Sequence, residues 1–289
     1  MTDASSRPAR IVDAHVHFWD PTNTDWYPYL SGGMALDMGN TTGMNRRFDL
    51  AAYRAESAGW NVEGLVHVAA ATGVHSVAEA LEVDRRGEVD AIVGGIPPTD
   101  SVAEAIALLD EQASARRLRG VRPMGRFDGP LPAVDVLREL ADRRLLFELL
   151  ARPEQLAVAA AGLAAVDDLV VVVEHAGWPL TGSDDERRTW RDGLRALAAL
   201  GERVHCKLSG VAMAAGSMEP GALAGWLEPA IEAFGVARCL FASNFPVDGL
   251  HGSLDDLWSG YSAVTAGLPE DERDALFAGN AARLYSIGG

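Results

Sequence analysis

The sequence predicts an α/β protein, a single-domain (β/α)8 TIM barrel with a long first βα loop, occupying residues 1–289. Three observations predict it. Eight short apolar runs are spread along the chain. Stretches with helical periodicity separate them. The length suits a fold that needs about 250 residues.

The first run, IVDAHVHF, covers residues 11–18, and VEGLVHVA follows at 62–69. AIVGGI stands at 91–96, LRGVRPM at 118–124 and LLFELL at 145–150. LVVVVEH at 169–175, RVHCKLSG at 203–210 and RCLFASN at 238–244 complete the set. Apart from the first gap, they recur every 24 to 35 residues. That spacing fits one strand plus one crossover helix. The helical stretches carry start signals. Leu131-Pro132 opens AVDVLRELADRR with proline in the first turn. Ser183-Asp184 opens DERRTWRDGLRALAAL, with acids early and an apolar i, i+3, i+4 stripe later. Pro269-Glu270 opens EDERDALFAGNAARLY. Eight βα units point to a closed parallel barrel. An open doubly wound sheet would carry a phosphate-type glycine loop after its first strand, and there is none. The long first connection runs from Trp19 to about Trp60 and holds Trp19, Trp26, Tyr27, Tyr29 and the flexible Ser31–Gly33. In a barrel it lies at the catalytic mouth, so a partial lid is expected, with Trp19 and Tyr27 against the substrate.

Composition narrows the partners. A chain 48% hydrophobic and 23% charged is ordinary for a globular protein. A net charge of −16 repels phosphate backbones and anionic lipid, which argues against nucleic acid and membrane partners. It leaves room for an anionic small molecule held by a local arginine or lysine. The N-terminal MTDASSRPAR lacks the apolar core of a signal peptide, and no apolar stretch is long enough to span a bilayer. Cys206 and Cys239 sit in apolar runs without metal-type spacing. They read as buried reduced thiols and point to the cytoplasm.

The reactive residues fall at the ends of the runs. His15 and His17 share parity, so they point to the same side of their strand. Val12, Ala14 and Val16 are expected to fill the opposite face, beneath the helices, which turns both histidines into the barrel. Two imidazoles this close on a rigid strand can chelate one ion. Other runs end in the same manner: His67 in the second, Arg122 in the fourth, Glu148 in the fifth, Glu174-His175 in the sixth. The seventh offers His205, Lys207 and Ser209 on one parity, and the eighth closes in Ser243-Asn244. Ionisable groups in apolar strands are costly unless paired or bound, and their collection at one end is how a barrel active site is built.

Seven elements in order resemble a known family: VDAHVHFWDP, YPYL, GVRP, EHAGWP, CKLSGVAM, RCLFASNFPVD and NAARLY, spanning residues 12–285. The chain resembles the amidohydrolase superfamily, in its family 2 branch of metal-dependent TIM-barrel hydrolases. Sugar-lactone hydrolases and 2-pyrone-4,6-dicarboxylate lactonases belong to that group. The resemblance implies His15, His17 and His175 as metal-site or substrate-polarising histidines. It implies Arg122 as a carboxylate or carbonyl contact, and Lys207 and Ser209 as pocket lining. One departure stands out. Lactonases of the group commonly read S-D-W-P after the last strand, with the aspartate activating water, whereas this chain reads Ser243-Asn244-Phe245-Pro246. An amide cannot act as a general base, and a neutral ligand weakens metal binding.

The expected function is therefore hydrolysis of a small lactone or related ester by activated water. A divalent ion, zinc or manganese, or the histidines themselves would polarise the carbonyl. His175 is the expected base and Glu148 the second choice, with Asn244 orienting the water or the oxyanion. Arg122 and Lys207 would hold a carboxylated or carbonyl-containing ring, and His67 would contact it. Asp248 is a further candidate base if its loop folds back over the mouth, and a cap otherwise. A non-oxidative decarboxylase of the same superfamily and a non-catalytic barrel are the alternatives. Asn244 counts against the first, and the set of buried ionisable groups counts against the second.

Overall fold

Each of the eight apolar runs becomes a strand in the computed structural model, which describes residues 7–32, 40–125 and 131–288. The strands are β1 (Ile11–Val16), β2 (Val62–Val68), β3 (Ala91–Ile96), β4 (Leu118–Pro123), β5 (Leu146–Leu149), β6 (Val171–Val173), β7 (Val204–Leu208) and β8 (Cys239–Phe241). All pair in parallel, in chain order. The ring closes just beyond β8, where Asn244 N donates to His15 O and His17 N donates to Phe245 O, both at 2.8 Å. The runs are apolar on both faces because each strand is covered from inside and from outside.

Helices α1 (Leu50–Glu56), α2 (His75–Arg86), α3 (Val102–Gln112), α4 (Val134–Asp142), α5 (Pro153–Leu163) and α6 (Asp184–Ala198) follow the first six strands in turn. After β7 come α7 (Val211–Ala215) and α8 (Pro220–Phe234); after β8 come α9 (Leu254–Val264), α10 (Glu270–Asp274) and α11 (Asn280–Leu284). Ser183 caps α6 by accepting from Glu186 N at 3.2 Å, with three acids in the first turn, as the local sequence predicts. Pro132 falls just ahead of α4 rather than inside its first turn. No helix among the described residues is long and apolar enough to cross a membrane.

The alternation expected for β1 needs correction. Val12 and Ala14 do not lie beneath the helices. They cluster with Val66, Val68, Ala91, Val93 and Leu240 in the barrel interior, while Ile11 and Val16 join the outer core. Asp13 faces outward and accepts from Tyr53 Oη of α1 at 2.8 Å. A register shift against β2 between Asp13 and Val16 resets the parity. One extra residue locally lets Ala14 and His15 both face inward, as in a β-bulge. His15 and His17 thus point into the barrel as expected, by a route that strict alternation does not provide.

The long first loop is anchored at its base. Trp19 and Phe48 exchange backbone hydrogen bonds at 2.8 and 3.0 Å. Residues 33–39, including Gly33 of the Ser31–Gly33 turn, lie outside the described residues.

Candidate active site

The C-terminal ends of the strands enclose a cleft of about 750 Å³, its open mouth included. That falls within the ~300–1,000 Å³ of small-molecule sites. His17, Arg122, His175 and Asn244 supply its reactive surface. Trp19, Tyr29, Trp178, Met44, Met124 and Met213 contribute aromatic and thioether walls.

His15 and His17 meet at their Nε2 atoms, 3.1 Å apart. His17 Nδ1 lies 2.7 Å from Val68 O, so it carries the proton and leaves the Nε2 lone pair free. His175 arrives differently. β6 ends at Val173, and the chain turns through left-handed conformations at His175 (φ 52) and Ala176 (φ 49). This turn swings the ring to within 4.7 Å of the His15 ring, centre to centre. Gly210 makes room for it. Its φ is +63, and a Cβ there would stand 2.7 Å from His175 Nδ1. Ser209 Oγ then sits 2.9 Å from the same nitrogen.

Around the histidines stand two cations and two anions in pairs, with Glu148, Glu174 and Lys207 fully buried and Arg122 reaching the cleft surface. Lys207 Nζ is 2.5 Å from Glu148 Oε2, and Arg122 Nη1 is 3.1 Å from Glu174 Oε2. Tyr285 donates its hydroxyl to the other oxygen of Glu148. Lys207 Nζ also approaches His15 Nδ1 at 3.5 Å, and Arg122 Nη2 donates to Ala69 O at 2.6 Å. Burial pushes the Glu148 carboxyl upward, opposed by the Lys207 ammonium. Burial, then Lys207, depresses His15; burial, then Arg122, depresses His17. Burial, Arg122 and Lys207 together bring His175 to about 3. All three imidazoles are therefore neutral near pH 7, the state in which they accept protons or bind metal.

Asn244 adopts a left-handed φ of 55, which asparagine tolerates better than most residues. Its Nδ2 donates to Asp248 Oδ1 at 2.8 Å. Asp248 is fully buried behind it and does not line the cleft. Burial raises its carboxyl to about 7, against the hydrogen bond from Asn244 and the backbone N–H groups of Ala212 and Gly210.

The structure brings His17, Arg122, His175, Asn244 and Trp19 to the cleft surface. His15, Glu148, Lys207 and Ser209 lie immediately behind it and act on the surface groups. Four expected substrate contacts need correction: Lys207 and Ser209 stand behind the cleft wall, and His67 and Tyr27 point elsewhere. His67 faces outward, in register with Val16 and Ile92, and stands 3.6 Å from Glu79 of α2. The register shift in β2 falls at its start, between Val62 and Gly64, and from there regular alternation keeps His67 outward. Tyr27 points away from the cleft, its hydroxyl donating to Glu79 Oε1 at 2.9 Å. Tyr29 takes the wall position instead, tied to Ala70 O at 2.9 Å. The sequence reading also missed Tyr285 and the ion-pair role of Glu174. The GVR…EHAG pairing offered a signal for Glu174, and nothing local offered one for Tyr285.

Two donor sets could be asked to hold a divalent ion. Among the described residues, ligand atoms of His15, Glu148 and Glu174 all lie within 4.8 Å of one another. That set fits poorly, because Lys207 and Arg122 already neutralise its carboxylates. The His15–His17 pair fits better. Its nitrogens are spaced as two imidazoles sharing one ion at about 2.0–2.1 Å would be, and both rings are neutral.

A closed parallel barrel with histidines, an arginine and an asparagine at its C-terminal mouth defines a barrel-type enzyme. The chain belongs to the amidohydrolase family, which it matches over residues 12–287. It is 30% identical over 298 aligned positions to the uncharacterized protein y4mH of Sinorhizobium fredii, covering 96% of this chain and 98% of that protein. It is equally 30% identical to an L-fucono-1,5-lactonase of Burkholderia ambifaria, covering 96% of this chain and 95% of the relative. A solved amidohydrolase from Burkholderia multivorans with bound zinc superposes with a TM-score of 0.77 at 28% identity, covering 96% of this chain and all of that one.

Proposed function

We propose that this protein hydrolyses the ring ester of a small lactone. The observation that carries the reading is the convergence of His17, Arg122, His175 and Asn244 on one aromatic-walled cleft. The lactonase relative supports it. Arg122 holds the ring carbonyl or a ring carboxylate by charge-assisted hydrogen bonds. The aromatic and methionine walls receive a ring with an apolar body. His175 takes a proton from the attacking water as the water oxygen bonds to the carbonyl carbon. In the tautomer that serves as base, Nδ1–H donates to Ser209 and Nε2 keeps its lone pair. The ring C–O bond then breaks, and the proton passes to the departing alkoxide. Glu174 Oε2, 3.9 Å from His175 Nε2, steadies the transient imidazolium. Lys207 does not reach the cleft; with Glu148 it fixes the setting of His15.

His15 and His17 would hold a divalent ion such as zinc or manganese, with His175 alongside. Such an ion polarises a carbonyl and acidifies a bound water. This matters for a base held near 3, which is a weak proton acceptor. The free, buried thiols Cys206 and Cys239 fit a cytoplasmic setting.

The test is turnover of a lactone panel, followed by proton release, with metal content measured on the same sample. A productive lactone should reach a kcat/KM of at least about 10⁴ M⁻¹s⁻¹. His175→Ala should then cost about 10²–10⁴-fold, and a loss below about tenfold would sink its assignment as base.

A further inference from the structure

We infer that Asp248 is a positioning residue that turns the Asn244 amide so that its oxygen, not its NH2 group, faces the cleft. The inference rests on the hydrolase reading above and adds a role that replaces the missing aspartate in the SNFP element. Asn244 lines the cleft and is almost wholly buried otherwise. Its Nδ2 is committed to Asp248 Oδ1 at 2.8 Å. No donor among the described residues bonds its Oδ1, which is left to the cleft. Above about pH 7, where it is ionised, the Asp248 carboxylate only accepts hydrogen bonds, so it selects the NH2 end of the neighbouring amide. Asp248 is itself fully buried, and its Oδ2 has no protein partner. A buried acid is costly to keep ionised, a cost that a leucine or asparagine would not carry. Packing alone does not account for an acid at this position.

The orientation has a chemical consequence. A water lying between His175 Nε2 and Asn244 Oδ1 meets two acceptors. It gives one proton to each and keeps its lone pairs free to attack a carbonyl carbon. With the amide reversed, NH2 would donate to the water and occupy the lone pair that must attack. Asp248 also stands beside the backbone N–H groups of Gly210 and Ala212, which follow Ser209.

Two nearly isosteric changes test this. In Asp248→Asn, the new amide keeps its oxygen toward the Gly210 and Ala212 N–H groups and offers NH2 to Asn244. Asn244 must reverse to accept it. We expect melting unchanged or raised, kcat lowered by about 10²-fold and KM within about threefold. The exchanged pair, Asn244→Asp with Asp248→Asn, again presents an oxygen to the cleft. It should recover to within about tenfold of the native rate. A single variant within about threefold of native kcat would overturn the inference. So would a double variant as inactive as the single one. The Asn244 side-chain amide resonance, assigned by its loss in Asn244→Asp, gives a readout independent of turnover. Its protons should exchange slowly with solvent in the native protein and rapidly in Asp248→Asn. Equal exchange in both overturns the orientation. If the native protein opens no lactone, the hydrolase reading fails, and this resonance still decides the orientation.

Discussion

The ends of β1 and β2 look alike as text and differ completely in space. One reads His15-Val16-His17, the other Val66-His67-Val68, and the strands are neighbours. In β1 the register shift turns two histidines into the barrel, where they meet each other and border the cleft. In β2 the one irregularity lies at its start, beside Glu63, and the alternation is regular from Gly64 onward, so Val66 and Val68 face inward and His67 faces α2. His17 binds Val68 O, whereas neither ring nitrogen of His67 has a hydrogen-bond partner. The contrast teaches that a buried histidine gains a role here from a single backbone irregularity, and parity alone cannot assign it.

The largest expected effect comes from pitting the two strands against each other. His17→Ala should lower kcat/KM by about 10²–10⁴-fold, since it removes a group at the reacting centre. His67→Leu should leave kcat/KM within about threefold and shift stability by no more than about 1 kcal/mol, because no hydrogen bond is lost. Comparable losses in the two variants would break the comparison. Next comes the charge layer that β1 rests on. Lys207→Met leaves Glu148 buried without its cation and should destabilise the fold by about 3–5 kcal/mol in urea unfolding. Adding Glu148→Gln should return most of that; no return would mean that the pair is not the unit. The smallest effect is a slope. His175 titrates near 3 in the folded chain, below its ordinary 6.5. Between those values the unfolded chain takes up a proton that the folded chain refuses. Stability present above 6.5 therefore drains as pH falls toward 3, by about 1.4 kcal/mol per unit at most. Asp248, raised to about 7 from 3.8, acts in the opposite sense, losing stability as pH rises across that window. Unfolding profiles of native protein minus His175→Gln should isolate the histidine slope, and parallel profiles would contradict its depressed titration.

The eight strands were legible because a parallel barrel imposes long apolar runs at regular spacing. The helices were legible from their caps, Ser183 above all. Arg122, His175 and Asn244 were legible because each closes an apolar run at the mouth. The rest depended on geometry that local sequence does not encode. Tyr27 and Tyr29 share one loop without strand or helix periodicity, so no rule tells which one faces the cleft. Glu148 and Lys207 sit on β5 and β7, where pairing across the barrel, rather than order in the chain, decides that they hold one another.

The contact between Tyr285 and Glu148 bears on the order in which the protein is made. A ribosome releases the first strand long before residue 285. The eight strands and their histidines can therefore emerge while Glu148 still lacks one of its partners. The ionic layer under the site is completed only when the segment after the eighth strand arrives from below. Synthesis interrupted between β8 and Tyr285 would yield a barrel with all its mouth residues and an unfinished floor, so catalytic competence should come late in synthesis, after the outline of the fold.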